Sequence, residues 1–193
     1  MKTYLLIDGE NIKGKIKAVF AHAGKSRPVW HEYDFKKLLG QALKGIEMRR
    51  SIFYFGKIKE DPATREKSKQ LIEEQRLFKT HLEKQGFEVV LAGRVRGYAE
   101  EGSKGRMVFK EKGVDVKIAV DMVSWACDKE VNELIVCSSD SDLQPAISEA
   151  RKRGVECVYL GFETNPNKGL SYTTNRTILL RNSEIFECER VLG

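Results

Sequence analysis

Residues 3–11 read Thr3-Tyr4-Leu5-Leu6-Ile7-Asp8-Gly9-Glu10-Asn11. A short continuous apolar run halted by an acid and a glycine is how a parallel strand buried on both faces reads, and it leaves a carboxylate at the strand's carboxyl end. Four later stretches repeat the pattern: residues 51–55 before Gly56, 87–91, 132–137 and 155–160. Between them lie helical patterns. Residues 34–44 set Phe35, Leu38, Leu39, Ala42 and Leu43 on one side, with Asp34 as N-cap and Gly45 as stop. Residues 62–85 form a long amphipathic helix between Asp61-Pro62 and Gly86, and shorter helices fit 114–128 and 142–153. This alternation predicts an α/β fold with a mainly parallel five-stranded sheet, helices on both faces and right-handed crossovers. Past Gly161, residues 171–182 read as a final helix and 184–187 as an edge strand that would make the sheet six-stranded.

The chain of 193 residues, 41% of them apolar, is the size of one domain with one core. We expect a single domain over 1–193, with a basic insertion at about 92–112 and a C-terminal extension from about 162. No apolar stretch approaches the ~18 residues that cross a bilayer, and Asp8 interrupts the start too early for a signal-peptide core. A soluble, cytoplasmic protein without membrane contact is expected. Cys127, Cys137, Cys157 and Cys188 are 10, 20 and 31 residues apart, without the C-x₂₋₄-C spacing of zinc modules, and are expected as buried reduced thiols. His22, His31 and His81 lack zinc-site spacing too, so any metal must be held by oxygen.

Asp8 ends the first strand, and Asp140 and Asp142 follow the fourth in Cys137-Ser138-Ser139-Asp140-Ser141-Asp142. Both places lie at the carboxyl edge of the sheet, where open α/β folds bind ligands. If the two strands are neighbours, about 4.8 Å apart, their carboxylates can share a cation. Gly113-Val114-Asp115 opens a helix at the same edge, and Ile118, Ala119 and Met122 put Asp115 at the head of its sheet-facing stripe. Crowded carboxylates repel, and a divalent ion resolves the repulsion; oxygen-only ligands favour Mg²⁺ or Mn²⁺. Such an ion orients a water, lowers its pKa and neutralises charge developing on a phosphodiester. Asn11 is placed to hold a carboxylate or phosphate oxygen. Bland alternatives stand beside these: Asp142 as a helix cap, a Ser141/Gln144 capping box, and Glu10 as a solvent-facing turn residue. Asp121 lies about 9 Å further along the helix than Asp115 and about 120° around it, four residues from Lys117, which favours a local salt bridge.

The 34 Lys and Arg exceed the 28 Asp and Glu by 6, and the excess is not evenly spread. From Asn11 to His31 there are five cations, Lys13, Lys15, Lys17, Lys25 and Arg27, and no acid; from Ala92 to Lys112 six, Arg94, Arg96 and Arg106 among them, stand against three acids. Positive charge thus flanks the acidic edge, where it can neutralise the phosphates of a bound strand. Trp30, Tyr33, Tyr98 and Phe109 are positioned either to stack on bases or to pack. Residues 97–105, rich in glycine, read as a hairpin or loop.

Ile7-Asp8-Gly9-Glu10-Asn11-Ile12, then Lys112-Gly113-Val114-Asp115-Val116 with Ala119-Val120-Asp121-Met122, then Ser139-Asp140-Ser141-Asp142, resemble in that order the NYN-domain family, the LabA-like branch of the PIN-fold nucleases. The similarity runs from about Tyr4 to Gly161. The resemblance implies a PIN-like three-layer sandwich and a Mg²⁺- or Mn²⁺-dependent ribonuclease centre. Asp8, Asp115, Asp140 and Asp142 match its acidic positions, Asn11 its polar one, and Asp121 a further acidic position. Ser139, counted as supporting, stands where Gly is common, and Leu143 replaces a frequent aromatic. Asn182-Ser183-Glu184 departs from the family's Asp near the C-terminus.

The expected function is a metal-dependent endoribonuclease acting on single-stranded or unpaired RNA, with Lys13, Lys15, Lys17, Arg94, Arg96 and Arg106 positioning the strand. An RNA-binding regulatory module with little turnover is the alternative. A phosphatase or Toprim-like enzyme is the third reading, weakened because Asp8-x-Glu10 is not Asp-x-Asp. A homodimer through the 62–85 helix is conceivable, although packing on the chain's own sheet explains that helix equally well.

Overall fold

The computed structural model describes residues 1–60, 65–99 and 107–189. In chain order the elements are β1 (Thr3–Asp8), α1 (Gly9–His22), α2 (Phe35–Ala42), β2 (Arg50–Ile58), α3 (Arg65–Lys84), β3 (Glu88–Ala99), β4 (Met107–Lys112), α4 (Val114–Cys127), β5 (Glu133–Cys137), a 3₁₀ turn at Ser141–Leu143, α5 (Gln144–Lys152), β6 (Glu156–Phe162), α6 (Lys168–Thr173), β7 (Arg176–Leu180) and α7 (Asn182–Glu187). The strands form one sheet in the order β4-β3-β2-β1-β5-β6-β7, parallel throughout except for the antiparallel β3–β4 pair. The expected α/β architecture is present, with seven strands rather than five or six.

Strand periodicity divides the core into two layers. On β1, Leu5 and Ile7 face one layer with Phe53, Phe55, Ile135 and Leu160, while Tyr4 and Leu6 face the other with Ile52, Tyr54, Val136 and Tyr159. The first layer is closed by α1, α2, α3 and α7 through Ile12, Ile16, Leu38, Phe78, Leu82 and Ile185. The second is closed by α4, α5 and α6 through Ile118, Met122, Ile147 and Leu170. A strand covered on both faces has no polar side, which is why β1 and β5 are apolar without alternation.

Three stretches differ from expectation: past residue 91 the chain continues as β3 and returns as β4, a strand absent from the reading of 92–112 as a basic insertion. Residues 9–22, read as a basic flank, form α1. The C-terminal pair is reversed: 176–180 is the edge strand β7 and 182–187 the helix α7, whose N-terminus is closed by Glu184 accepting from the Arg181 N–H. Arg176-Thr177-Ile178-Leu179-Leu180 finds a ready partner in β6 through Val158 to Phe162, so pairing overrides the weak helical pattern.

From β1 the chain builds outward through β2, β3 and β4, then returns to β1's other side and builds through β5, β6 and β7. The sheet's topological switch point therefore lies between β1 and β5, and the crevice there is where open α/β sheets bind ligands. The β3–β4 hairpin is an excursion from this edge. It leaves at Gly93 and comes back with Lys112 opposite Arg94, delivering Gly113 and the start of α4 to the edge. Gly93 has φ +65°, and a Cβ on it would lie 2.1 Å from the Lys112 carbonyl oxygen. Only glycine fits that root.

Candidate metal centre

Asp115, Asp140 and Asp142 each offer a carboxylate oxygen, and these atoms lie within 4.8 Å of one another. It is the one such acidic, Cys or His group among the described residues. Asp140 caps the 3₁₀ turn, accepting from the Asp142 N–H at 2.9 Å, in place of the alternatives of an Asp142 cap or a Ser141/Gln144 capping box. The turn thereby fixes Asp142 one step round from Asp140 with its own carboxylate uninvolved in capping. Asp115 arrives from the first turn of α4. Three oxygen donors with no ammonium or guanidinium paired to them among the described residues suit a hard divalent cation.

Asp8 stands beside this set and is joined to it by a residue the sequence did not single out. It is buried, caps α1 by accepting from the Asn11 N–H at 3.0 Å, and accepts from Ser138 Oγ at 3.3 Å. The same Ser138 Oγ accepts from the Asp140 N–H at 3.2 Å. Burial pushes the Asp8 carboxyl above its ordinary range; the two hydrogen bonds oppose the shift, and the negative charges of Asp140 and Glu10 reinforce it. Asn11 turns its carbonyl oxygen to Ser139, accepting from its N–H at 3.0 Å and its Oγ at 2.9 Å, which ties α1 to the loop after β5. Asn167, also unforeseen, donates to the Ser139 carbonyl at 2.8 Å and to Ser141 Oγ at 3.0 Å, bracing that loop from the other side.

Asp121 lies apart from the three carboxylates. Its oxygens pair with Lys117 Nζ at 2.6 Å and accept from Tyr54 Oη at 3.0 Å, the local salt bridge that its spacing suggested. Glu10 is exposed and pairs with Lys13 at 2.8 Å, in the first turn of α1 rather than a free turn. Lys15 reaches the Asn165 carbonyl at 3.4 Å, Lys17 is exposed one turn below Lys13, and Arg94 is exposed on β3. Arg106 lies outside the described residues, as does most of the 97–105 stretch, while Arg96 and Tyr98 are described in their backbone only, both within the antiparallel pairing. Tyr33 is a packed residue, donating to the Ile185 carbonyl at 2.7 Å. All four cysteines are free; three are buried as expected, and Cys127 is exposed. No helix among the described residues is long and apolar enough to cross a membrane.

On the far side of Asp8 is Glu111, the clearest omission of the sequence reading. It is held by the Gly56 N–H at the end of β2, and its pKa is pushed up to about 7, first by burial and then by the charges of Asp8 and Glu10. On the sequence it vanished into the Lys110-Glu111-Lys112 run. Its signal was the alternation Met107, Phe109, Glu111, which puts the acid on one face of a strand with two apolar residues.

The NYN domain family matches residues 2–181. No curated protein matches the chain in sequence. The crystal structure of Acinetobacter baumannii MurG is similar at 11% identity and a TM-score of 0.38, covering 92% of this chain; the chain spans 41% of that protein's length. A likeness at that level carries no argument here.

Proposed function

The chain belongs to the NYN domain family, a family of PIN-like nuclease domains, and from that premise we propose that it is a metal-dependent endoribonuclease acting on single-stranded or unpaired RNA. One observation carries the reading: three carboxylates converge within 4.8 Å at the switch point of the sheet. Asp115, Asp140 and Asp142 are the residues that would hold Mg²⁺ or Mn²⁺, with Asp8 joining them through the Ser138 bridge. When bound, the ion supplies Lewis-acid chemistry, acidifying a water and offsetting charge on the phosphodiester. The chain's own residues do the rest. Ser138, Asn11 and Asn167 hold the acidic loop rigid against β1, and preorganised carboxylates need no rearrangement when the ion arrives. Lys15 and Lys17 on α1, with Arg94 and Arg96 on β3 and Arg106, neutralise the phosphates on either side of the scissile one, and Lys13 on α1 faces the nucleotide beside them. Asp121 keeps the start of α4 in place through Lys117 and Tyr54 and contributes to the site as a positioning residue.

The test is to incubate the protein with end-labelled single-stranded RNA in Mn²⁺, Mg²⁺ or EDTA, beside an Asp8→Asn/Asp140→Asn variant. Metal-dependent cuts leaving 5′-phosphate and 3′-hydroxyl ends, absent in the variant, are expected. RNA binding without cleavage in either protein would move the function to a regulatory module.

A further inference from the structure

Beside Asp8, on the side away from the three clustered carboxylates, a cavity of about 590 Å³ opens between the start of α1, the end of β2, α3 and the β3–β4 hairpin. That volume falls in the ~300–1,000 Å³ range of small-molecule sites. Phe55 and Phe78 are buried in its wall, while Trp30 and Phe109 are only partly buried. Seven polar side chains line it, Lys13, Glu111, Arg27 and His31 among them. Lys13 Nζ lies 5.7, 5.9 and 5.4 Å from the Trp30, Phe55 and Phe78 rings, and Glu111 lines the opposite side.

Local sequence is fitted to this space. A Cβ on Gly9 would sit 1.9 Å from the Phe55 ring, and one on Gly56 would sit 2.7 Å from Glu111 Cγ. Both glycines let the backbone close over the aromatic floor and let Glu111 tuck against the end of β2. The cavity lies on the β2 side of Asp8. Asp8 pairs in register with Tyr54, and Gly56, which holds Glu111, is two residues further along the same strand. One strand spacing across and two residues along, about 8 Å in all, separate Asp8 from Gly56, a span that one nucleotide bridges.

Resting on the nuclease reading above, we infer that this cavity is a base-binding subsite for the nucleotide adjoining the scissile phosphate, and that it takes an unpaired guanine. Aromatic walls suit any base, since every base has a stacking face. Among the polar side chains, Lys13 beside the rings and Glu111 opposite it narrow the choice. Glu111 Oε2 is occupied by the Gly56 N–H, leaving Oε1, once the carboxyl is ionised, as an acceptor for guanine N1–H or N2–H₂. Lys13 spends one of its three donors on Glu10, leaving others for guanine O6 and N7. Adenine offers the lysine N7 alone, without an O6 beside it, and uracil stacks over a smaller area. Lys67, 5.2 Å from the Phe109 ring, covers part of that ring and adds a cation for the neighbouring phosphate.

The subsite is tested in EDTA, where no cleavage intervenes, by titrating the whole protein with 5′-GMP and with 5′-UMP and following Trp30 emission and heat. GMP is expected to bind more tightly and to quench Trp30 saturably, with the quench lost in Trp30→Phe. Phe109→Leu should weaken GMP by roughly 5- to 150-fold, the span of one lost stacking contact. Glu111→Gln should bring the GMP-to-UMP ratio toward one while Tm at pH 7 is held or raised. Equal binding of the two nucleotides, or a GMP preference that survives both substitutions, overturns the subsite even if RNA is cut. A GMP preference that behaves as expected in a protein that cuts no RNA overturns the nuclease reading instead.

Discussion

Asp115→Asn should stabilise the metal-free protein and destroy its response to metal. Asp115 lies within 4.8 Å of two other carboxylates. At that separation a pair of like charges costs about 0.9 kcal/mol in water and about 3.5 kcal/mol at an effective dielectric of 20. Asp115 and Asp140 are half-buried and Asp142 is exposed, so the lower part of the range applies, about 1 kcal/mol per pair and about 2 kcal/mol for both. Against this, Asp115 lies in the first turn of α4, where a negative charge contributes ~0.3–1 kcal/mol through the helix dipole. Repulsion wins, and the variant should gain about 1 kcal/mol in EDTA, or roughly 2–4 °C in Tm for a chain of this size. In Mn²⁺ at a hundred times its dissociation constant the wild type gains about 2.7 kcal/mol, and the order reverses because the variant has lost a ligand. Urea denaturation of both proteins in EDTA and in millimolar Mn²⁺ reads all four stabilities. A variant less stable than wild type by the same amount in both buffers would show that Asp115 is an ordinary helix residue, and the reasoning would fail.

Two further outcomes are expected. Glu111 holds a proton in the folded chain between its ordinary value of 4.5 and about 7 that the unfolded chain has released, so its contribution to stability is intact below 4.5 and lost as pH rises through 7. At about 1.4 kcal/mol per pH unit, the metal-free wild type should lose up to about 3 kcal/mol across that window, less any discount for partial exposure. Glu111→Gln should flatten the slope in thermal melts from pH 4.5 to 7.5, and parallel curves would refute the assignment. Gly93→Ala forces an L side chain to φ +65° with its Cβ 2.1 Å from a carbonyl. It should cost at least ~1–3 kcal/mol and raise hydrogen exchange first in the β3–β4 hairpin; an unchanged urea midpoint would deny that root its tight closure.

The carboxylate edge was legible because it rests on topology alone. Parallel strands end on one edge whatever their packing, so Asp8 after β1 and Asp140 after β5 had to come close once β1 and β5 paired, and Asp115 had to follow when α4 began there. Ser138 and Glu111 were hidden for the opposite reason. Ser138 matters through the direction of one hydroxyl between Asp8 and Asp140, and Glu111 through the register of a hairpin, neither of which a local pattern encodes. Helix α1 did carry a signal, Ile12, Ile16, Val19 and Phe20 at helical spacing, obscured by Gly14 and by Lys13, Lys15 and Lys17, which read as part of a basic flank. At the C-terminus the sequence was ambiguous between two short elements, and β6 decided by supplying an open edge to pair with.

The hairpin between β3 and β4 contributes to both the cavity and the carboxylate edge. A parallel fold of this kind needs only one crossover from β3 to β5, and a direct connection would start α4 at the carboxyl edge just as well. The excursion adds something else: it carries Glu111 and Phe109 back along the open side of β3, where one face meets the end of β2 and the other elements of the cavity. Its root demands glycine at 93 and its return delivers Asp115, so the same closure that builds the cavity wall also places one of the three clustered carboxylates. Loosening the root should therefore disturb both regions together, whereas Glu111→Gln should alter the cavity and spare Asp115. If metal-dependent stabilisation and GMP binding fall together in Gly93→Ala and separate in Glu111→Gln, cavity and carboxylates are two parts of one site built on one hairpin.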